Sequence, residues 1–493
     1  MKKFKKYILL ILCLTVAIFS LTACSNSYEF TAVPGGNPNA PTESNGGQVV
    51  KQGDKLYFVN GKSDENTANK FGEVLKGGIV RATIDEKDGS LKDFVTIVPK
   101  NVYSKGANSG FYIFGGSIYY MTPNNEVDKN DNLLNDRLDV MKVNLNGTGT
   151  QKLGTIMGLD FQYKFVNGYL VYYKNNTITI CKMEENLPAV KTIKDVTGIV
   201  MPKTEYYEKG KEYASDYIFY TRRLTEDESK DGAKNNMLCA VKCDGTNQID
   251  IIGKTTTFAD STIAKNEYTT TLKNYLVDGE NITIFYTRKD AINGQLSEKL
   301  YSYTFKVADL KQEKDKVYFN KENEKLIFNN AVSSFTPYAS DSVVEISDKT
   351  IYLYKNGVKT QLTYIGDAGV FDGTLVQFRK EKVGEDNVVM MYYTKSTGMF
   401  KVVFERNGNV AIEAPEKIYD GAIGANVFGN EFIGDYFYFD YAAKKDYVYR
   451  INVNKVSTTE KLEEGSSKVN PELVGKMTKA DADALKKEEE EKK

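Results

Sequence analysis

The chain has 493 residues, with 65 Lys and Arg against 66 Asp and Glu, so its formal net charge is −1. So small a net charge gives no electrostatic footprint for nucleic acid, and we expect no nucleic-acid partner. The chain contains no His and no Trp. Without an imidazole it cannot form a Ser-His-Asp or Cys-His pair or the usual catalytic zinc sites. Composition therefore favours a non-catalytic protein without a cofactor.

The N-terminus has a basic start and an apolar continuation. Lysines cluster within residues 2–6, and an apolar stretch runs from residue 7 to residue 21. Its length suits a secretory signal and is too short for a spanning helix. The stretch ends in Leu21-Thr22-Ala23-Cys24, which resembles the lipobox of bacterial lipoproteins. The resemblance implies a signal peptide at residues 1–23, lipid attachment (diacylglycerol and acyl chains such as palmitate) at Cys24, and a mature protein on the extracytoplasmic face of the cell membrane.

Residues 24–47 are rich in Asn, Gly, Pro, Ser and Thr and contain few large apolar side chains. Such a composition is typical of a flexible linker. A random coil of this length would span roughly 25–30 Å between its ends. We therefore predict a tether that holds a folded body away from the lipid.

One pattern recurs between residues 48 and 455. A short strand of aliphatic and aromatic residues is followed by a polar loop, a second strand of alternating pattern and a Gly turn, as at residues 56–59, residues 79–84 and Asp88-Gly89. Such units indicate β-hairpins used repeatedly. The openings begin at Leu56, Ile118, Leu170, Tyr217, Ile282, Ile351, Val388 and Tyr436.

A sheet of this size cannot bury both faces alone, but blades stacked around an axis can. We therefore predict an all-β fold, a β-propeller of seven or eight blades over residues 48–455. A pair of β-sandwiches or a β-solenoid is the alternative. Ile118-Tyr119-Tyr120 with Asn146-Gly147, and residues 217–220 with Asp244-Gly245, resemble the repeat of uncharacterised propeller-like domains in bacterial lipoproteins, distantly similar to TolB-type propellers. This resemblance implies binding or scaffolding more than catalysis.

The last segment, residues 456–493, differs in character from the repeats. Asn470-Pro471 is a favourable helix opening, with Asn as the cap and Pro in the first turn. The final eight residues are all charged. We predict a short helical or disordered charged tail that is exposed to solvent.

One loop has the spacing of a calcium site. Leu133 stands at position 6 of that loop, where the sharp turn needs glycine, and position 12 is Asp where a bidentate Glu is usual. A polar loop between two strands explains the same residues, so we predict no metal. The residues at positions 1, 3, 5, 9 and 12 are Asp128, Asn130, Asn132, Asp136 and Asp139.

Two further groups of residues have alternative interpretations. Cys181, Cys239 and Cys243 cannot all pair, so we predict buried free thiols, with a disulfide to Cys181 as the alternative. Three tyrosines lie in a polar segment that we interpret as a loop, where they could form a binding patch or pack within the loop. They are Tyr206, Tyr207 and Tyr213.

These observations predict a lipid-anchored extracytoplasmic module that binds or scaffolds an unknown protein or an envelope polymer without catalysis. The alternative is a surface enzyme that acts on glycan or peptide with carboxylates and Tyr in the propeller funnel. Such an enzyme would need two acids roughly 5–10 Å apart there.

Overall fold

The computed structural model describes residues 35–62, 76–105, 108–201, 205–207, 216–225, 236–252, 269–292, 295–311, 320–362, 371, 373–395, 398–420, 431–441, 447–454, 472–475 and 477–491. The predicted signal peptide, Cys24 and the first part of the predicted tether lie outside these residues. Most of the described elements are β-strands, and neighbouring strands pair in antiparallel order.

The strands form eight consecutive sheets, which we number as blades 1 to 8. Inside each blade the strands lie side by side in chain order, with one exception in blade 7. Blade 1 contains β1 (Thr42–Asn45), β2 (Val49–Gln52), β3 (Lys55–Val59), β4 (Ile79–Ile84) and β5 (Leu91–Val98). The hairpin β6 (Ser104–Lys105) and β7 (Asn108–Ser109) leads to blade 2, which contains β8 (Phe111–Phe114), β9 (Ser117–Pro123), β10 (Arg137–Asn144) and β11 (Gln151–Met157).

Blades 3 to 5 continue the same meander. Blade 3 contains β12 (Gln162–Val166), β13 (Tyr169–Lys174), β14 (Thr177–Lys182) and β15 (Ala189–Ile193). Blade 4 contains β16 (Val196–Val200), β18 (Tyr217–Arg223), β19 (Asn236–Lys242) and β20 (Ile249–Ile252), whereas β17 (Glu205–Tyr207) joins the sheet of blade 1. Blade 5 contains β21 (Thr269–Asp278), β22 (Asn281–Ile292), β23 (Gln295–Lys306) and β24 (Glu324–Phe328), with short 3-10 helices at Val307–Asp309 and Lys321–Asn323.

Blades 6 to 8 complete the series. Blade 6 contains β25 (Thr336–Ala339), β26 (Ser342–Ser347), β27 (Thr350–Lys355) and β28 (Val358–Leu362). Blade 7 contains β29 (Thr374–Val383), β30 (Asp386–Lys395) and β31 (Gly398–Arg406), and both β32 (Asn409–Val410) and β33 (Glu416–Asp420) pair with β31. Blade 8 contains β34 (Glu431–Ile433), β35 (Tyr436–Tyr441), β36 (Tyr447–Asn452) and β37 (Glu472–Leu473), and helix α1 (Lys479–Glu491) follows.

Apolar packing between neighbouring blades closes the eight sheets into a ring. Separate clusters of buried side chains join blades 2 and 3, 3 and 4, 4 and 5, 5 and 6, 6 and 7, and 7 and 8. The largest cluster combines Val50 of blade 1, Ile118 of blade 2 and Val448 of blade 8. Because the last blade packs on the first, the fold is a β-propeller. The predicted fold class is confirmed, and the number of blades is eight.

The predicted openings correspond to the most buried strands. When β1 is counted as an added inner strand of blade 1, seven of the eight lie in second strands, such as β9 and β18, and the opening at Ile351 lies in the third strand of blade 6. A second strand has a neighbour on each edge and a blade on each face, which is why its sequence is almost continuously apolar. Tight turns connect these strands, as at Asn167-Gly168, where φ values of 46° and 84° suit a hairpin of the Asn-Gly kind.

The two kinds of turn lie on opposite faces of the ring, because strand direction alternates inside each blade. We call the face with the turns between first and second strands the lower face, and the opposite face the upper face. On the lower face Arg450 of β36 donates to the carbonyl oxygen of Gly89 at 2.8 Å, so blade 8 is tied to a turn of blade 1. Arg450 also stacks on Tyr436, with the guanidinium carbon 4.0 Å from the ring centre.

The C-terminal segment lies on the upper face, at the junction between blades 8 and 1. Tyr447 Oη accepts from the backbone N–H of Thr478 at 3.0 Å and donates to Asp481 Oδ2 at 2.8 Å. Lys76 of blade 1 lies 3.9 Å from Asp481, and Leu485 is buried. The predicted tail therefore contains the last strand of blade 8 and a docked helix. That helix begins at Lys479, later than the opening predicted at residue 470, with Thr478 as its cap.

Of the described helices, none is long and apolar enough to cross a membrane. The only regular α-helix of the described chain, α1, has 13 residues and carries a run of charged side chains.

Candidate functional site

The N-terminal segment crosses the lower face before it enters the ring. Pro38 Cβ lies 3.5 Å from the position of a Cβ on Gly116, in the first turn of blade 2. Ala40 Cβ lies 3.2 Å from the corresponding position on Gly53, in the first turn of blade 1. The described chain therefore starts on the lower face.

Strand β1 then lies at the axis of the ring. It pairs with β2 and contacts the first strands of two further blades, β8 of blade 2 and β34 of blade 8. Its other edge pairs with β17, which the chain supplies between the first and second strands of blade 4. The first strands thus line a central channel, and one side of that channel is filled by the chain itself.

Asn45 closes the inner edge of blade 2. Its side-chain Nδ2 donates to the carbonyl oxygen of Ile113 at 2.8 Å, and its Oδ1 accepts from the N–H of Ile113 at 2.8 Å. The backbone continues the pairing, because Gly46 N–H donates to Phe111 O at 3.1 Å. Inner-edge backbone groups of β8 that would otherwise face the channel are thereby paired, as buried peptide groups require. Asn45 is itself buried, with 6 % of its surface exposed.

The channel wall at blade 7 has a different character. The ten positions of β29, the first strand of blade 7, include no buried residue, whereas three of the four positions of β2 are buried. Gln377, Lys380 and Lys382 are exposed. Lys380 Nζ lies 3.6 Å from Asp278 Oδ1 at the end of the first strand of blade 5, and both side chains are more than 70 % exposed. We call β29 with Arg379, Tyr392 and Phe432 the open flank.

Arg379 is the central group of the open flank. Its guanidinium carbon lies 4.8 Å from the ring centre of Phe432 and 5.9 Å from that of Tyr392. The nearest carboxylate oxygens, those of Glu381 and Asp435, are each 3.6 Å from a guanidinium nitrogen, too far for a good hydrogen bond. Its Nη1 is buried and has no hydrogen-bond partner among the residues that the structure describes. Arg379 can therefore still bind a carboxylate or an amide oxygen, supported by the two rings.

Two carboxylates flank this guanidinium. Glu381 lies on the same strand as Arg379, and its Oε1 accepts a hydrogen bond of 2.9 Å from Tyr392 Oη. Asp435 comes from the first turn of blade 8. Burial, together with the charge of Glu381, raises the pKa of Tyr392. The site thus combines a cation, two anions and two aromatic rings, an arrangement suited to recognition of a polar, extended ligand.

Glu324 of blade 5 is a further carboxylate, but its surroundings make it unsuitable for ligand binding. Its Oε1 accepts from Arg288 Nη1 at 2.7 Å and from the hydroxyl of Tyr286. The side chains of Glu324 and Arg288 are 7 % and 9 % exposed, and the guanidinium stacks on Tyr301 at 4.0 Å. This buried pair holds blade 5 together and offers no surface to a ligand.

In the loop with calcium-like spacing, the acidic side chains contact different partners and do not converge on one point. Asp128 Oδ1 accepts from the N–H groups of Asn130 at 2.8 Å and Asn132 at 3.0 Å, which closes a tight turn. Asp136 pairs with Arg137, and Asp139 turns into the layer between blades 1 and 2. In the described residues no group of three or more potential metal-ligating acids or cysteines comes together. The local turn accounts for these side chains.

The three cysteines after residue 24 are buried free thiols, as predicted. Burial raises the pKa of Cys181 to about 11 and raises the pKa values of Cys239 and Cys243 well above the ordinary value. None of them is a reactive nucleophile at neutral pH.

The tyrosines of the polar segment in blade 4 are placed differently from the predicted loop. Tyr206 and Tyr207 belong to β17 at the channel, and their side chains are not described. Tyr213 lies outside the described residues.

The sequence interpretation missed Arg379 and Asn45, although signals for the region around Arg379 exist. Gly or Ser followed by an acid precedes the second strand in several blades, as at Gly53-Asp54 and Gly434-Asp435. This signal would have located the first turns, including the one that carries Asp435. The charged sequence Arg379-Lys380-Glu381-Lys382 is unusual for an inner strand and would have marked β29 as exposed.

No protein-family model and no curated protein matches the chain. Solved structures with a similar arrangement exist. The propeller domain of the Trilobed protease from Pyrococcus furiosus has 11 % identity and a TM-score of 0.32, over 77 % of this chain and 96 % of that one. The Pyrococcus horikoshii acylaminoacyl peptidase has 11 % identity and a TM-score of 0.30, over 79 % of this chain and 56 % of that one. Kluyveromyces lactis Hsv2p has 10 % identity and a TM-score of 0.27, over 74 % and 96 %.

Proposed function

We propose that this protein is a lipid-anchored extracytoplasmic binding module, and that it holds a protein partner at the open flank of its channel without catalysis. The observation that carries the proposal is the contrast along the channel wall. The chain covers the inner edges of blades 1 and 2 with β1 and Asn45, whereas β29 has no buried residue. An uncovered inner strand beside an aromatic and charged cluster is suited to bind an extended segment.

The charges of the open flank favour a partner with acidic side chains. Lys380 and Lys382 are exposed on β29, and a buried nitrogen of Arg379 is unpaired within the described part of the chain. A carboxylate of the partner that reached Arg379 would complete its hydrogen bonding and lie between the rings of Phe432 and Tyr392. A carboxylate forms charge-assisted hydrogen bonds with a guanidinium, which are stronger than those from the neutral oxygens of an uncharged envelope polymer, so an acidic protein is the partner that we propose.

The proposed lipid anchor rests on the lipobox-like segment. It is compatible with the path of residues 35–41. These residues cross the lower face, so a lipid on Cys24 would hold that face toward the membrane. The test is the variant Cys24→Ala with membrane fractionation and intact-mass analysis. Loss of the lipid mass and release from the membrane support the anchor, and unchanged mass and retention would exclude it.

The binding role is tested by photo-crosslinking in intact cells. A photoreactive amino acid replaces Gln377 on β29 or, as the matched control, Thr360 on the exposed outer strand β28. We expect one defined protein adduct from position 377, loss of that adduct in Arg379→Met, and none from position 360. Equal labelling at both positions would contradict the proposal, and adducts with envelope polymer alone would replace the protein partner by a polymer.

A second candidate is a surface enzyme that acts on glycan or peptide, because Glu381 and Asp435 flank Arg379 in the channel. The variant Glu381→Gln separates the two functions. A hydrolase would turn over cell-wall glycan or peptide substrates and lose this activity in Glu381→Gln while the crosslink from position 377 persisted. Absence of turnover in the purified native protein, together with the crosslink, would favour binding.

A further inference from the structure

The residue before the last one of a first strand turns its backbone toward the channel in blades 2 and 7. In blade 2 this penultimate residue is Ile113, whose N–H and carbonyl oxygen bond to the side chain of Asn45 at 2.8 Å each. In blade 7 it is Lys382, which lies opposite Asn387 of β30. Asn387 uses its own N–H (3.0 Å) and carbonyl oxygen (2.8 Å) on Asn407, on the side of β31. Opposed residues of an antiparallel pair bond to each other or both face outward, so the backbone groups of Lys382 face the channel.

Lysine occupies this penultimate position in two of the eight first strands, when β2 is counted as the first strand of blade 1. They are Lys51 in β2 and Lys382 in β29. The penultimate residues of the other six first strands are Ile113, Phe165, Ile199, Val277, Tyr338 and Phe432. Each lysine stands two residues before a turn of Gly and an acid, Gly53-Asp54 or Gly384-Glu385, and the glycine φ values are 58° and 63°. The two lysines therefore occupy equivalent positions in blades 1 and 7.

In blade 1 the chain itself supplies a strand for this position. β1 lies antiparallel to β2 at the axis, with Glu43 directly opposite Lys51. Lys51 Nζ is 2.5 Å from Glu43 Oε1, and the two side chains are 32 % and 34 % exposed. Directly opposed residues of opposite charge stabilise an antiparallel pair. β1 is thus an example, within the same molecule, of the kind of strand that binds a penultimate lysine.

In blade 7 the equivalent position is open in the described part of the chain. β29 pairs there with β30 alone, and the side chain of Lys382 is exposed. Lys380 lies two residues earlier without a register shift, so its side chain is on the same face and its backbone groups also face the channel. Lys380 Nζ lies 3.6 Å from Asp278 Oδ1, and solvent screens this exposed pair. Two exposed lysines whose backbone groups face the channel thus alternate along β29.

We propose that the open flank binds an extended segment of the protein partner in which two acids are separated by one residue, an acid-x-acid segment. The segment pairs with β29 as an added antiparallel strand. One acid lies opposite Lys382, as Glu43 lies opposite Lys51, and the other lies opposite Lys380. This inference rests on the proposed function, because it specifies the segment that the partner inserts. Backbone pairing provides affinity, and the spacing of the acids provides specificity.

The test measures binding of capped, fluorescently labelled hexapeptides to the purified full chain at neutral pH and physiological salt. The first peptide alternates Thr and Glu, and its control has the same composition with three Thr before three Glu. Two further peptides carry N-methyl groups on either the Glu or the Thr residues of the alternating sequence. In the proposed pairing the Glu N–H groups bond to β29 and the Thr N–H groups point away from it.

We expect saturable binding of the alternating peptide. The control sequence and the peptide with N-methyl-Glu should bind at least about tenfold more weakly, and the peptide with N-methyl-Thr should bind within about threefold of the unmodified peptide. Equal affinities of the two N-methylated peptides would overturn strand pairing. Equal affinities of the alternating and control sequences would overturn the acid-x-acid pattern, and no binding of the alternating peptide would overturn the inference as a whole.

Variants connect this binding to β29 and separate the inference from the proposed function. Lys382→Met should weaken binding of the alternating peptide about tenfold, as expected for loss of one charge-assisted hydrogen bond. Lys51→Met, at the position that Glu43 already occupies, should leave this affinity unchanged, and equal affinities of the two variants would contradict the assignment to β29. In intact cells, a crosslink from position 377 that is as strong in Lys382→Met as in the native background would keep the proposed function and overturn the inference. Absence of any adduct in the native background would instead overturn the proposed function.

Discussion

The two sides of the channel differ in what covers the inner strands. Beside blades 1 and 2 the chain adds β1 and the side chain of Asn45, which pair the inner backbone edge. In blade 7 the inner strand β29 contains no buried residue, and the buried Nη1 of Arg379 has no hydrogen-bond partner among the described residues. The same ring thus contains one side on which β1 and Asn45 pair inner backbone groups and another on which, in the described residues, the inner strand β29 pairs with β30 alone.

The largest effect should come from Asn45→Ala, which removes side-chain hydrogen bonds from the covered side of the channel. The substitution leaves the N–H and the carbonyl oxygen of Ile113 without partners in a buried environment. We expect the free energy of unfolding to fall by about 2–4 kcal/mol, because each unpaired buried group costs about 1–3 kcal/mol. Urea unfolding measures this change. The control Gln377→Ala, on the exposed side, should change stability by less than about 0.5 kcal/mol. Equal losses of stability in Asn45→Ala and Gln377→Ala would contradict the difference between the two sides.

The next effect concerns the junction of blades 8 and 1, which borders the covered side. Tyr447→Phe removes the hydroxyl that bonds to Thr478 and Asp481, and we expect a loss of about 1–2 kcal/mol. The matched variant is Tyr393→Phe in blade 7, where the buried hydroxyl has no hydrogen-bond partner among the described residues. In Tyr393→Phe, loss of the hydroxyl should leave the free energy of unfolding unchanged or raise it slightly. Thermal unfolding of both variants provides the comparison, and a larger loss in Tyr393→Phe would contradict it.

A smaller effect, of opposite sign, is expected at Lys100. Because burial lowers its pKa in the folded state, the unfolded chain binds more protons between that value and the unfolded value of about 10.4. Stability therefore rises with pH across this interval. Lys100→Met should be more stable than the native protein by roughly 1 kcal/mol at pH 7, and the difference should shrink toward pH 10. A pH-independent difference, or a less stable variant, would show that Lys100 is already paired.

The smallest effect should follow Lys380→Ala. Lys380 and Asp278 are both strongly exposed and lie 3.6 Å apart, so solvent screens their attraction. We expect no measurable change in Tm at physiological salt. A clear loss of stability would mean that this pair holds blades 5 and 7 together and that the open flank is more rigid than proposed.

The sequence predicted the candidate site less well than it predicted the fold. The second strands, such as β9 and β18, are apolar because blades cover both their faces, and this local pattern indicated a propeller. β1 is polar, with the sequence Thr-Glu-Ser-Asn, so its segment was interpreted as part of a tether. Its position depends on side-chain and backbone hydrogen bonds to β8, which a hydrophobic pattern does not encode.

By itself, the sequence of this protein determined the all-β class, the repeated hairpins and the buried state of the three thiols, because each follows from neighbouring residues. Only the tertiary structure decided the number of blades, the filling of one side of the channel, and the meeting of Arg379 with Asp435 or of Arg450 with Gly89. These contacts join residues that are far apart in the chain. They arise from closure of the ring, in which each blade packs against its neighbours and the last blade returns to the first.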